Sequence, residues 1–163
     1  MAGGYSLTSG SVTLANQAVT LTFVNPAAAP NVDLEFRRFW VGQSNNMAPV
    51  NLRVQINTQV TAFPTLVSAT PTKLFGSDAA SVITGNTTGA AGTSGINASA
   101  EGAGAKTVIW ADVFGSSNGW LLIPTPEETI EVSAGAAHGL GFHLPAAPGT
   151  LTAWAFGCVW LER

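Results

Sequence analysis

The sequence predicts an all-β protein: a single-domain β-sandwich, jelly-roll-like, with one long loop rich in Gly, Ala, Ser and Thr. Three observations predict it. Apolar residues recur with period two, no convincing segment repeats them at i, i+3, i+4 and i+7, and Gly, Pro or Asn bounds the apolar runs. At 163 residues the chain makes one domain by the usual scale of roughly 150 residues each, spanning 1–163.

Residues 1–11 read as an N-terminal arm. Val12 and Leu14 then alternate with polar residues, and Val19, Leu21 and Phe23 repeat the pattern until Asn25-Pro26 breaks it. From Val32 a strand runs through Leu34, Phe36 and Phe39-Trp40-Val41 to the turn residues Gly42 to Asn46. Val50 to Asn57 is the cleanest case. Val50, Leu52, Val54 and Ile56 take one face and Asn51, Arg53, Gln55 and Asn57 the other, as in a half-buried antiparallel strand.

Gly76 to Ala105 reads as the long loop, with Val82, Ile83 and Ile96 as its large apolar anchors. Loops beyond about 12 to 15 residues are uncommon in compact domains and usually functional or disordered. Its composition cannot build a core alone, so its order must come from outside the segment. Further strands are predicted at Lys106 to Phe114, Trp120 to Pro124, Thr129 to Ser133 and Gly139 to Leu144. The last run, Leu151 to Leu161, is apolar on both faces: Trp154, Phe156, Cys158 and Trp160 on one, Ala153, Ala155, Val159 and Leu161 on the other. It is expected to be a central strand covered on both sides. Eight to ten short strands suit a jelly roll, with an immunoglobulin-like topology as the alternative.

Only 9% of residues are charged, against about 25% in an average soluble domain. Such a surface repels copies weakly and suits a protein that meets other polypeptides. The net charge is −3 and the six basic residues are scattered, so no nucleic-acid patch is expected. Met1 to Ser6 has neither the basic start nor the apolar run of a signal peptide, and no apolar stretch approaches the roughly 20 residues of a membrane-spanning helix. The chain reads as made and assembled in a cytoplasm. The lone Cys158 is expected to be a buried, inert thiol.

No catalytic, cofactor or metal site is expected. Glu101 to Thr107 imitates a phosphate-binding loop but has Ala105 before Lys106, Ala100 where the first glycine belongs, and a strand rather than a helix after it. His138 and His143, near Glu127, Glu128 and Glu131, are five apart, which on a strand puts them on opposite faces and argues against zinc. Glu127-Glu128 after Pro124-Thr125-Pro126 reads as a solvated turn, and Gly115 to Gly119 as a hairpin loop rather than a nucleophile elbow. Asn86-Thr87-Thr88 and Asn97-Ala98-Ser99 match the glycosylation sequon, as chance allows in a Ser/Thr-rich loop. Trp40, Trp110, Trp120, Trp154 and Trp160 raise the alternative of a carbohydrate-binding or adhesin module, where rings stack on sugars; burial as anchors is the plainer reading. A small β-sandwich enzyme is a second alternative, for which no convergent polar cluster is visible.

Several segments together resemble a family of tailed-bacteriophage virion proteins, the head decoration or cement proteins. They are Phe39 to Ser44, Leu52 to Ile56, Thr70-Pro71 with Gly76 to Ala80, Asn86 to Thr88, Trp120 with Pro124 to Glu128, and Leu144 to Ala147. The similarity spans about residues 39 to 163. The chain departs from that family in its Ala-rich link from Pro26 to Pro30 and in its end, Leu161-Glu162-Arg163. The resemblance implies a β-sandwich on the capsid surface of a virion, partnered by the major capsid protein and by itself as a homotrimer or dimer, without nucleic acid, membrane or cofactor. The expected contact residues are Tyr5, Leu7, Val12 and Leu14 near the N-terminus, Val82, Ile83 and Ile96 in the long loop, and Trp154 and Trp160 on the last strand.

Overall fold

The computed structural model describes residues 3–15, 18–45, 49–134, 138–146 and 148–163. Residues 1 and 2 of the expected arm, Asn46 of the expected turn and Ala147 lie outside them. Among the described residues the strands, in chain order, are β1 (Gly3–Thr8), β2 (Val19–Asn25), β3 (Leu34–Gln43), β4 (Asn51–Val60), β5 (Thr65–Ser68), β6 (Thr72–Lys73) and β7 (Thr84–Gly85). They continue as β8 (Thr93–Ala100), β9 (Lys106–Gly115), β10 (Trp120–Leu122), β11 (Ile130–Val132), β12 (His138–Leu144) and β13 (Trp154–Glu162).

Two sheets pack face to face. Sheet I has the order β10-β3-β13-β1-β6, with β11 also on β3; sheet II has the order β5-β8-β2-β12-β4-β9, with β7 beside β8. All pairings are antiparallel except β7 with β8. Set β5 to β8 and β11 aside and the halves are β10-β3-β13-β1 and β2-β12-β4-β9, between which the chain passes repeatedly. That is the wrapping of a jelly roll.

The period-two pattern explains which faces meet. β4 buries Leu52, Val54 and Ile56, as its alternation predicts. β13 lies between β1 and β3 and sends Trp154, Phe156, Cys158 and Trp160 into the core, each at most 1% exposed. Phe36 stacks on Phe39 at 5.3 Å and tilts against Trp160 at 5.9 Å, while Phe39 reaches across to Phe142 of β12 at 5.6 Å. The other face of β13 is only partly covered: Val159 and Leu161 are half-buried and Ala155 is exposed. Gly157 on that face takes the Trp40 ring, and a Cβ there would run into both that ring and the Leu7 carbonyl.

Four further expectations are corrected. The expected arm is the core strand β1, aligned with β13 from Gly3 opposite Glu162 to Thr8 opposite Gly157. Tyr5 and Leu7 supply its inward face, and the glycines that lower its β propensity hid it. Val12 and Leu14 form no strand; Val12 makes an isolated bridge to Trp154. The long loop contains β7 and β8, and the order of β8 comes from its own chain, where it lies between β2 and β5. Its inward residues are Ile96 and Ala98, too few and too small to register as an apolar run. Finally, Gly115 to Gly119 closes no hairpin, because β9 belongs to sheet II and β10 to sheet I.

Gly157→Ala is expected to destabilise the protein by about 1–3 kcal/mol in urea unfolding, the range for forcing atoms into a packed site. Adding Trp40→Ala should not restore it, because the Leu7 carbonyl still blocks the methyl.

Candidate functional site

Of the nine expected contact residues, seven are core. Tyr5, Leu7, Leu14 and Ile83 are at most 2% exposed, Ile96 is 8% exposed, and Trp154 and Trp160 are fully buried. Val12 and Val82 are partly buried and pack against the same core. The seven buried side chains pack between the sheets, so they hold the sandwich together and offer a neighbour no surface. The tryptophan hydrogen bonds agree: Trp154 Nε1 donates to the Thr150 carbonyl at 2.8 Å and Trp160 Nε1 to Glu162 Oε1 at 3.4 Å.

The exposed apolar residues lie elsewhere. Five of the ten large apolar side chains exposed among the described residues are Val108, Ile109 and Val113 of β9, Leu121 of β10, and Ile123 just beyond it. Here the chain steps from the edge of sheet II to the edge of sheet I, and Asp112 Oδ2 accepts the Trp120 indole N–H at 3.0 Å across the seam. β9 is ten residues long and pairs only with β4 among the described residues, so its other backbone edge is open. It carries a bulge where Ile109 stands between the partners of Ile56 and Asn57. Nearby, Trp40, Gly42, Asn118, Trp120, Leu121 and Ala155 line a shallow depression of about 410 Å³. Trp120 is committed: its ring stacks on Phe142 at 5.5 Å and its N–H is taken.

A second cluster went unnoticed in the sequence because its members are far apart in it. The chain between β8 and β9, residues 101–105, must cross β2, β12 and β4 to reach the far edge of sheet II. Glu101 holds this strap down. Its Oε1 accepts the Thr20 amide at 2.5 Å; its Oε2 accepts the Thr20 hydroxyl and the Lys106 ammonium, both at 2.7 Å. His143 Nε2 lies 3.3 Å from the same Oε2, without the alignment of a hydrogen bond. Gln59 donates to the Glu101 carbonyl at 3.3 Å and to the Ala62 carbonyl at 2.9 Å. Burial is the main influence on His143 and lowers its pKa to about 4; the Glu101 charge pulls it up and the Lys106 charge down.

The remaining candidates are placed simply. His138 and His143 sit at opposite ends of β12, with Glu131 in the other sheet and Glu127 and Glu128 in an exposed 3-10 turn. Asn86 folds its carboxamide oxygen onto the Thr87 and Thr88 amides at 2.6 and 3.1 Å, and Asn97 ties down the chain before β2 through the Thr13 carbonyl and Ala15 amide. Burial pushes the Cys158 thiol up to about 12, so at neutral pH it is protonated and a poor nucleophile. Among the described residues no three His, Cys, Asp or Glu gather as a metal site would require, and no helix is long and apolar enough to cross a membrane. No protein-family model matches the chain, and no curated protein or solved structure matches it either.

Glu101→Ala is expected to cost about 2–3 kcal/mol in urea unfolding at pH 7, because it strands the Thr20 amide and a half-buried ammonium. Glu127→Ala, in the exposed turn, should stay within about 0.5 kcal/mol of the parent.

Proposed function

We propose that the protein is a non-enzymatic building block of a virion, which decorates and cements the capsid of a tailed bacteriophage by bridging neighbouring copies of the major capsid protein. The observation that carries this reading is the open apolar edge formed by β9 and β10 on a surface with little charge. Natural proteins guard long edge strands with lysines, prolines or covering segments, because an open edge pairs with other chains. Here the edge has a bulge as a guard, but Val108, Ile109, Val113 and Leu121 stand exposed along it. A soluble monomer has little use for such an edge; a subunit of a shell does. Jelly rolls serve viral shells, lectins and cupins alike, so the fold permits the reading without selecting it.

The mechanism is multivalent. Each copy contributes a modest contact, and copies joined in a homotrimer or dimer bind the shell together, so that later contacts form within one assembly. Expansion of the shell or pressure from packaged DNA must then break several contacts at once. A second reading, a carbohydrate-binding or adhesin module, has one observation behind it: the half-buried Trp40 borders an open depression with Asn118 beside it.

The test is co-sedimentation with phage heads that lack this component. The parent protein should bind them saturably, and Val113→Lys with Leu121→Lys should weaken binding at least tenfold, about 1.4 kcal/mol, while leaving thermal unfolding unchanged. Heads that ignore the parent protein, together with saturable binding on a glycan array that Trp40→Ala abolishes, overturn the shell reading in favour of the sugar module.

A further inference from the structure

The open edge of β9 has a definite hydrogen-bonding pattern. Ser116 N donates to the Val50 carbonyl at 2.9 Å, which makes Ser116 and Val50 a bonded pair. Bonded pairs recur at every second residue of an antiparallel ladder, so Phe114, Asp112 and Trp110 exchange their backbone bonds with Leu52, Val54 and Ile56 of β4. Ala111, Val113 and Gly115 therefore turn their N–H and C=O groups away from β4, toward the open edge. The Gly115 carbonyl accepts the Asn118 amide at 3.0 Å, and the bulge at Ile109 breaks the pattern on the other side of Ala111. What is left for an incoming strand is a short template, Ala111 to Val113, and all of it is exposed.

One side chain stands on that template. Asp112 Oδ1 accepts the Val113 amide at 2.7 Å, the same N–H that an added strand has to take. Its Oδ2 accepts Trp120 Nε1 at 3.0 Å, which fixes the carboxylate in place. The indole bond first and the Val113 amide second hold the Asp112 pKa below the ordinary carboxylate value, so the group is charged at neutral pH. A second copy is the nearest candidate for addition, because an edge strand can match itself about a two-fold axis. The axis that avoids both the bulge and the occupied Gly115 carbonyl passes at Asp112, with Ala111 opposite Val113 of the second copy. The two Asp112 side chains then form a non-hydrogen-bonded pair, the closer kind, and like charges directly opposite destabilise a ladder. Arg53, the one cation of β4, stands opposite Val113 and so on the other face, where it does not neutralise them.

We propose that Asp112 is a gatekeeper that keeps a second copy of the chain from adding to the β9 edge: its carboxylate covers the Val113 amide in each copy and meets its own image in the register that is otherwise clear. The edge is thereby left to a chain of another kind, and copies that associate do so through other surfaces. This guard needs only the open edge and stands whether or not a phage head is the partner. Removing the carboxylate uncovers Val113 in both copies and takes away the repulsion, so that Ala111 and Val113 can exchange backbone bonds with their counterparts on both sides of the axis.

Sedimentation and hydrogen exchange on the full chain test the gatekeeper. Asp112→Ala should self-associate about tenfold more tightly than the parent or better, since two amides are uncovered and a like-charge contact is lost. Its Ala111 and Val113 amides should gain protection as concentration rises. The double variant with Val113→Pro should lose that association and stay folded, because proline is tolerated where the N–H faces away from the neighbouring strand. Trp120→Phe, which cuts the seam bond but leaves the Val113 amide covered, should keep the parent's size. The gatekeeper is overturned if Asp112→Ala sediments as the parent does up to about 1 mM, if Trp120→Phe associates as strongly, or if Val113→Pro leaves the association intact. The parent alone supplies a check that needs no variant. Corrected for intrinsic rates, its Val113 amide should exchange about threefold more slowly than that of Ala111 or better, the range of one exposed hydrogen bond, and equal rates exclude the device.

Discussion

The structure depends on the aromatic row of β13. Trp154, Phe156 and Trp160, with Cys158 between the last two, fill the space between the sheets from a strand bonded on both sides, by β1 and by β3. Removing one such ring from a core typically costs 3–5 kcal/mol, and a single β-sandwich of this size has only about 5–15 kcal/mol in all. Its neighbours are fixed by the row in turn. Tyr5 sits against Trp160 at 6.3 Å, Phe36 against the same ring, and Phe39 carries the contact across to β12. The glycine in the middle of the strand completes the design by letting Trp40 lie on the opposite face. With no disulfide in the chain, this packing is the principal source of stability.

How much was legible follows from the same physics. Strands whose inward residues are large, such as β4 and β13, announce themselves, because alternation and burial coincide. β1 and β8 do not, since glycine, serine and alanine take positions where the partner strand supplies the bulk. The expected contact residues show a different limit. Alternation in Tyr5 and Leu7, or in Trp154 and Trp160, identifies a shared face but cannot say whether that face meets the protein's own second sheet or a neighbour. Here it meets the second sheet, and half of the large apolar side chains left exposed among the described residues lie at the edge where β9 and β10 part. Edge status is a property of topology, and no local pattern in Lys106 to Gly115 reveals it.

The Glu101 site was illegible for a related reason. Thr20, Gln59, Glu101, Lys106 and His143 converge only because the β8 to β9 connection must travel over three intervening strands. Read locally, Glu101 to Thr107 is a failed phosphate loop. Read in the fold, its glycines let the backbone lie flat on the turn below, and its glutamate and lysine pair with each other.

The few carboxylates of this chain act mainly as internal ties. Asp33 accepts the Ala134 amide at 2.6 Å, Asp78 the Gly4 amide at 2.9 Å, and Asp112 closes the seam between the sheets. Glu162 holds Ser81 and Val82 against the end of β13, Glu101 holds the strap, and Glu35 lies between Arg37 and Arg163. Five of the nine acidic residues thus join segments distant in sequence, Asp112 reaches only to Trp120, and Glu127 and Glu131 stay exposed in the 3-10 turn and on β11. Glu35 and Glu162 are buried and Asp78 and Glu101 partly so, which withdraws part of an already small charge from the surface. Repulsion between copies scales with the charge left on the surface, and a surface that lacks it approaches other chains at little electrostatic cost. On β9 the charged residues are Lys106 and Asp112, both already bonded within the chain, so the open apolar edge meets another chain with little free charge, and that is the physical ground for reading the molecule as a component of a larger assembly.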